Sequence, residues 1–322
     1  MKKLAMFITC CTALLCIFVL LPMPPSAWAH GVAGKRFFPT TLSIEDPFVS
    51  DELSFLFSFL RESGEGDEPP VNAYELEIEY TKRITPNFGI SVGDEFIVLD
   101  PDDGDTDVGF GNLEVGAKYQ FLLNAPHELV ASIGANVSIQ DTGNSEESEP
   151  FTVISPAIFF GKGLGDLPES LKYLRPLAIT GAIGPNFPTD RETRTTHVDE
   201  QTGEIEQEVE LNAVSLSYGF SIQYSLQYLK TYVKDVGLPA PFNRMIVLVE
   251  FPFETCLNRG CDGDTTGFIN PGLIWFGKYI QLGAEVQIPI NDQSGENVGV
   301  LGIIHFFIDD LFPNSFGRPI FR

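Results

Sequence analysis

From the early fifties to its C-terminus the chain is written in segments of roughly ten residues in which apolar side chains alternate with small or polar ones. Leu113, Val115, Ala117, Tyr119 and Phe121 interleave with Asn112, Glu114, Gly116, Lys118 and Gln120. The next segment sets Leu129, Ala131, Ile133, Ala135, Val137 and Ile139 against Ser132, Gly134, Asn136, Ser138 and Gln140. A longer one sets Val214, Leu216, Tyr218, Phe220, Ile222, Tyr224, Leu226 and Tyr228 against serines, Gly219 and glutamines. Side chains of a strand point to opposite faces in turn, so each segment offers one face to an apolar medium and one to a polar one. A closed transmembrane β-barrel has this pattern, and so has a soluble β-sandwich. The ends of the chain and its charges separate the two.

Residues 1–29 read as a secretory signal: Lys2 and Lys3, an apolar run from Leu4 to Leu21, then Ala27, Trp28 and Ala29 as a small-x-small cleavage site. A retained membrane anchor is the alternative, because the run is close to the ~20 residues of a spanning helix. Cys16 follows Leu15 rather than a small residue, which argues against a lipoprotein site. Beyond the signal no apolar stretch is long enough for a spanning helix, which leaves a closed barrel as the membrane-spanning option. Cys10, Cys11 and Cys16 leave with the signal. Cys256 and Cys261 remain, and two cysteines in an exported chain most simply form a loop disulfide. A metal site is the alternative there, although nothing nearby completes a four-ligand set.

Twelve strand candidates begin near Leu53, Ala73, Phe88, Gly111, Glu128, Phe151, Pro176, Leu211, Met245, Phe268, Tyr279 and Glu296. With a periplasmic N-terminus, odd-to-even connections are extracellular loops and even-to-odd ones periplasmic turns. The acidic residues then fall almost entirely outside. Glu62, Glu65, Asp67 and Glu68 lie in the first loop, Asp100 to Asp107 in the second, and Asp141, Glu146, Glu147 and Glu149 in the third. The fourth runs from about Pro188 to Glu210, with eight acids from Asp190 onward. The fifth carries the cysteine pair with Glu254, Asp262 and Asp264, and the sixth holds Asp292 and Glu296. The opposite connections are short or basic. A sandwich has no reason to sort charge by alternate loops. The net charge of −24 excludes a nucleic-acid binder.

Tyr74, Leu76, Ile78 and Tyr80 are expected to face lipid, with tyrosines as interfacial girdles. Glu75, Glu77 and Glu79 between them then line the lumen as a carboxylate ladder, with Lys118, Arg175 and Arg244 as candidate counter-charges. Glu114 and Glu285 are expected to join that lumen.

Gly89-Ile-Ser-Val-Gly93 matches a nucleophile elbow, a motif that needs a turn from strand into helix, yet it lies inside an alternating strand. His127, His197 and His305 have no metal or triad spacing, and His30, as a new N-terminus, lacks a second histidine to complete a copper site. No Ser/His pair suits a lipid-modifying enzyme, and the reading is of a non-enzyme without a resident cofactor. Asp100, Asp102, Asp103 and Asp105 superficially resemble a calcium loop, since oxygen ligands at alternate positions suit Ca²⁺. Gly111 stands where an EF-hand needs glutamate, so a solvated loop or one bridged by divalent ions to lipopolysaccharide is the simpler expectation.

The stretch 109–122, Gly-Phe-Gly-Asn-Leu-Glu-Val-Gly-Ala-Lys-Tyr-Gln-Phe-Leu, resembles the outer-membrane family named for the meta-pathway of phenol degradation, as does 155–168, Ser-Pro-Ala-Ile-Phe-Phe-Gly-Lys-Gly-Leu-Gly-Asp-Leu-Pro. The resemblance covers residues 70–310 and implies a transporter-like barrel and passage of small apolar or aromatic compounds. One departure is the end of the chain. Barrel precursors usually finish on a strand with a terminal aromatic residue, whereas here residues 309–322 follow the last strand and Phe321 is penultimate. The barrel assembly machinery would then read Phe306 to Ile308, or the tail would fold back into the lumen.

The expectation is an all-β, monomeric, twelve-stranded up-and-down barrel of the cell outer membrane over residues 51–308. Residues 30–50 form a periplasmic segment or plug, and the lumen is lined by Ser, Gly, Asn, Gln and a few charges. Two functions stay open. One is passive diffusion of a small solute, aromatic or apolar compounds included. The other is a non-transporting surface barrel whose acidic loops bind a partner or stabilise the lipopolysaccharide layer.

Overall fold

The computed structural model describes residues 31–64, 69–146, 148–198, 205–259, 261 and 263–321. The signal segment, His30, and the loop acids Glu65, Asp67, Glu68, Glu147, Asp199, Glu200, Glu204 and Asp262 lie outside the described residues.

Twelve antiparallel strands form one closed barrel. They are β1 (Glu52–Glu62), β2 (Val71–Thr85), β3 (Phe88–Pro101), β4 (Asp107–Phe110 continued by Glu114–Asn124), β5 (Leu129–Ser138) and β6 (Val153–Gly163). Then follow β7 (Leu177–Pro188), β8 (Ser215–Ser225), β9 (Met245–Cys256), β10 (Thr265–Phe276), β11 (Ile280–Pro289) and β12 (Gly299–Phe307). Each strand pairs with its neighbour in sequence, and β12 returns to β1 from Val300 opposite Phe59 to Phe307 opposite Glu52. Closure leaves no edge, so the backbone's hydrogen bonds are made within the wall, as a bilayer requires. The outer face is apolar all round: Phe57, Ile78, Ile90, Tyr119, Ile133, Ile158, Ile183, Phe220, Val247, Leu273, Val286 and Val300, one from each strand, are exposed. A belt of this extent does not stand in water, and it identifies the lipid-facing surface. Among the described residues no helix is long and apolar enough to cross a membrane.

Two local features differ from the sequence expectation. The strand expected from Gly111 is in two pieces: Asp107–Phe110 pairs with the outer half of β3 and Glu114–Asn124 with its inner half. Across the break the third loop supplies the missing partners. Asn144 Oδ1 accepts from Phe110 N at 2.7 Å, and Thr142 Oγ1 from Leu113 N at 2.8 Å. The long fourth loop, where none of the twelve strand candidates begins before Leu211, holds a second hairpin in which Glu192–Val198 pairs with Ile205–Leu211. Its base is braced by the turn that the Cys256–Cys261 disulfide closes: Asn258 Oδ1 accepts from Val214 N at 2.9 Å, and Arg259 donates to Asn212 O.

Residues 31–51 enter the barrel as a plug. They begin with a small hairpin, Val32–Ala33 against Arg36–Phe37. Gly34 turns it at φ +66°, where a Cβ would lie 2.1 Å from Ala125 O, so only glycine fits. Phe38 and Phe48 pack with Ala33, Val130 and Ala178, while Leu42 packs with Ile246, Leu248, Ile274, Phe276, Leu301 and Ile303. The inner wall of β9, β10 and β12 is therefore partly an apolar core. The expected lining of Ser, Gly, Asn, Gln and charges is interrupted there by aliphatic and aromatic side chains.

Both ends of the plug are held by buried charge. Arg36, 1% exposed, pairs with Glu128 at 3.2 Å, donates to the carbonyls of Arg175 and Pro176, and lies 4.0 Å over the Tyr228 ring. Asp51 is held by Lys82 Nζ at 2.5 Å and Arg83 Nε at 2.8 Å. The C-terminal tail packs against this second anchor: Ile308 N donates to Asp51 O at 2.9 Å and Phe321 N to Ile84 O at 2.8 Å. The tail thus follows the rim from β12 past Asp51 to the end of β2.

Unheated in mild detergent, the protein is expected to run on a gel apart from its boiled form, because the closed wall resists unfolding. Identical mobility before and after heating, with helical circular dichroism, would sink the architecture.

Candidate functional site

The plug fills the lumen unevenly. Towards β8–β12 it is in contact with the wall; towards β1–β5 a cleft remains. One cavity of about 260 Å³ is lined by Glu77, Glu79, Ser91, Gly93, Asp94, Glu95, Asn112, Glu114, Asn136, Ser138 and Glu149. A second, of about 210 Å³, lies between plug residues 40–48 and Glu52, Ser54, Leu56, Glu77, Glu79, Thr81, Glu114, Lys118 and Asn136. Glu77, Glu79, Glu114 and Asn136 line both. The two cavities thus adjoin along β1–β5, from Glu52 and Thr81 near the mouth that carries the termini to Glu95 and Glu149 at the other.

Lys118 spans this cleft. Its Nζ pairs with Glu45 Oε1 at 2.6 Å, donates to Asp46 O at 2.7 Å, and stands 4.7 Å over the Phe159 ring. A single lysine stands among Glu45, Glu77, Glu79 and Glu114, so carboxyl groups outnumber ammonium groups in the cleft.

Of the residues singled out in the sequence, Glu77, Glu79, Glu114 and Lys118 come together here. Glu75, on the same face of β2, accepts from Ser58 Oγ at 2.7 Å nearer the outer rim. Arg175 and Arg244 do not reach the ladder: Arg175 pairs with Glu169 at 3.1 Å in the turn before β7, and Arg244 ends the turn Phe242–Arg244 before β9. Ser91 of the nucleophile-elbow match sits inside β3. The four aspartates of the second loop do not converge. Asp102 pairs with Arg61 at 2.5 Å, Asp100 accepts from Thr106 at 3.0 Å, and Asp103 and Asp105 are exposed. Among the described residues no group of three or more His, Cys, Asp or Glu side chains is placed to hold a metal ion.

Glu285 lies across the barrel, 3% exposed, beside Glu250 behind the plug. Glu250 is a residue the sequence reading missed. Its carboxylate accepts from the backbone N–H groups of Leu42 at 2.8 Å, Ser43 at 2.8 Å and Ile44 at 3.2 Å. Asn270 Nδ2 donates to Ser43 Oγ at 2.8 Å and Gln281 Nε2 to Thr40 O at 2.6 Å. His305 Nδ1 meets Ser54 Oγ at 2.9 Å. One signal was available. An acid inside Met-Ile-Val-Leu-Val-Glu-Phe, at an inward position, needs a buried partner.

The inward glycines have a related meaning. A Cβ on Gly219 would lie 2.3 Å from Ile44 Cδ1, and one on Gly163 would lie 2.2 Å from Glu128 Oε2. These positions are small because the plug and its anchor occupy the space.

A third cavity, about 380 Å³, lies above the plug tip at Ser43, Ile44 and Glu45. Ala157, Phe159, Ala182, Gly184, Pro252 and Phe268 give it apolar walls, and Asn136, Ser155, Asn186, Ser217 and Glu254 give it polar points.

No family model matches the chain. No curated protein matches it either. Among solved structures it is similar to an outer membrane channel from Pseudomonas putida F1, at 12% identity and a TM-score of 0.57 over 84% of this chain and 99% of that one. The KdgM porin aligns at 11% identity and a TM-score of 0.44, over 79% of this chain and 98% of the porin. The first likeness establishes the fold: this is a β-barrel of the outer-membrane type, and its place is the outer membrane.

Glu250→Ala would leave three plug N–H groups without their acceptor, at roughly 1–3 kcal/mol for each buried donor. Hydrogen exchange at Leu42, Ser43 and Ile44 is expected to speed up while the strand amides stay protected. Unchanged exchange at those three amides would show that the apolar clusters hold the plug unaided.

Proposed function

We propose that this outer-membrane barrel is a passive channel for small solutes, with the plug fixed in place and the route running along the acidic cleft beside it. The observation that carries this reading is the chain of adjoining cavities along β1–β5, lined by Glu77, Glu79 and Glu114 and crossed by Lys118. Small polar side chains along such a wall offer weak, repeated hydrogen bonds that let a solute enter and leave, and the carboxylates tilt selection towards cations. The outer cavity between Phe159, Ala182 and Phe268 supports small aromatic or apolar solutes as the compounds received first. The Pseudomonas putida F1 protein of similar fold is an outer membrane channel, in agreement with this reading. The protein works as a monomer in this scheme, inserted by the barrel assembly machinery. Its acidic loops, that of Asp100 to Asp105 included, meet lipopolysaccharide through divalent ions such as Ca²⁺.

A second reading, a non-transporting barrel that presents its acidic loops to a partner, is favoured by one observation. The plug is fastened at Arg36, at Glu250 and at Asp51, on three sides of the lumen.

Uptake into liposomes separates the two. Refolded protein is expected to admit small phenol-like aromatics faster than sugars of similar size. Its ion conductance is expected to favour cations, with the preference falling severalfold in Glu77→Gln/Glu79→Gln. Absence of flux for every solute tested would leave the surface-binding reading in possession. Flux indifferent to the two substitutions would move the route away from the cleft.

Widening is also open to test. Lys118→Ala removes a side chain that bridges plug and cleft, and conductance is expected to rise with a sharper cation preference. An unchanged conductance would place the constriction elsewhere.

A further inference from the structure

The C-terminal tail leaves the barrel after β12 with one helical turn, Ile308–Leu311, and then runs past the end of β2. Its path is fixed by backbone bonds. Ile320 N donates to Arg83 O at 3.3 Å and Phe321 N to Ile84 O at 2.8 Å. Lys82 Nζ donates to Phe316 O at 2.8 Å and Arg318 O at 2.7 Å, and Arg83 to Gly317 O at 3.0 Å. Gly317 is packed so closely on Asp309 that a Cβ there would lie 2.4 Å from Asp309 Cα. The tail is therefore a defined element of the rim.

Its side chains point the other way. Phe316, Ile320 and Phe321 are 70%, 57% and 64% exposed, and Phe312 is exposed beside them. In water such a group is unfavourable at roughly 25 cal/mol for each Å² of apolar surface. Its position says what covers it. On β2 the residues Tyr74, Leu76, Ile78 and Tyr80 share one face, and Tyr74 and Ile78 are exposed in the lipid-facing belt. Lys82 is the next residue of that row, and its ammonium group donates to two carbonyls of the tail. The tail thus adjoins the lower edge of the belt, and its aromatic residues stand with exposed Arg318. Aromatic rings with a basic side chain are the composition of a segment at the boundary between lipid headgroups and acyl chains.

We infer that residues 312–321 form an interfacial lipid-binding element, whose occupant is the phospholipid of the inner leaflet against which the periplasmic rim rests. Phe316, Ile320 and Phe321 enter the boundary between headgroups and acyl chains, and Arg318 meets the phosphates. The same tail covers Asp51, so the lipid contact holds in place the element that closes over the lower plug anchor. This inference needs only the barrel's place in a bilayer and stands whether or not the lumen conducts.

The test uses the full mature chain in vesicles of phosphatidylethanolamine and phosphatidylglycerol. Phe316→Cys, Ile320→Cys and Phe321→Cys each carry a nitroxide; Ile90→Cys in the belt and Glu169→Cys in a turn serve as references. Cys256 and Cys261 are bonded to each other and take no label. Heat-shifted gel mobility selects folded protein for all five. In power-saturation spectra the three tail positions are expected to collide more with oxygen than with a water-soluble nickel chelate, as at Ile90. Nickel accessibility equal to that at Glu169 would overturn the inference and mark the face as one that meets water or a periplasmic protein.

Discussion

In the hydrocarbon core of a bilayer a backbone N–H or C=O finds no water, and the pairing of β12 with β1 is the step by which this chain meets that condition. Everything else is built on closure. Twelve strands joined in sequence order leave one ring of outward positions for lipid and one ring of inward positions for whatever the barrel encloses. Closure also fixes which side chains can meet. Glu77 on β2 and Glu114 on β4 face one cleft because only β3 stands between them, whereas Glu285 on β11 stands beside Glu250 of β9 behind the plug.

A barrel of this width encloses more space than its own inner side chains fill, and the chain fills much of it with its N-terminal segment. The fit is made by subtraction as well as by contact. Gly219 leaves room for Ile44, and Gly163 for the ion pair of Arg36 and Glu128. Polar groups complete it: Glu250 accepts three consecutive plug amides, and Lys118 reaches Glu45 from the opposite side. A buried charge is tolerable only when paired or hydrogen-bonded, as Arg36, Glu250 and Lys118 are where they meet the plug. What remains between plug and wall along β1–β5 is a pair of adjoining cavities rich in carboxyl groups. The width and charge of that cleft therefore depend on the placement of the plug.

Much of this was legible from alternation. Strand side chains change face at every residue, so a lipid-facing row such as Tyr74, Leu76 and Ile78 announces itself and puts Glu77 and Glu79 inside. The sorting of acids to alternate loops gave the order of the connections. The inner row was harder to read. A serine, glycine or glutamine facing inward has the same pattern whether it lines water or receives a plug. Gln281, of a residue type expected to line the pore, donates to Thr40 O. Glu285 looked like one more lumen carboxylate and lies against Glu250. Arg175 looked like a counter-charge and is spent on Glu169 in a turn. The interruption of β4 was hidden too, because its missing bonds are supplied by Thr142 and Asn144, some thirty residues away along the chain.

The sequence by itself determined a twelve-stranded barrel, which face of each strand meets lipid, and which connections carry the acids. These follow from period-two geometry and from a solvent that forbids open edges, both of which act locally on every segment. Only the tertiary structure decided that residues 31–51 occupy the lumen, that Glu250 and Arg36 anchor them, and that an acidic cleft beside Lys118 stays open. The reason is that these are contacts between segments far apart in the chain, from Leu42 to Glu250 and from Asp51 to the tail. Their existence depends on shape complementarity inside a closed wall, which no periodicity encodes.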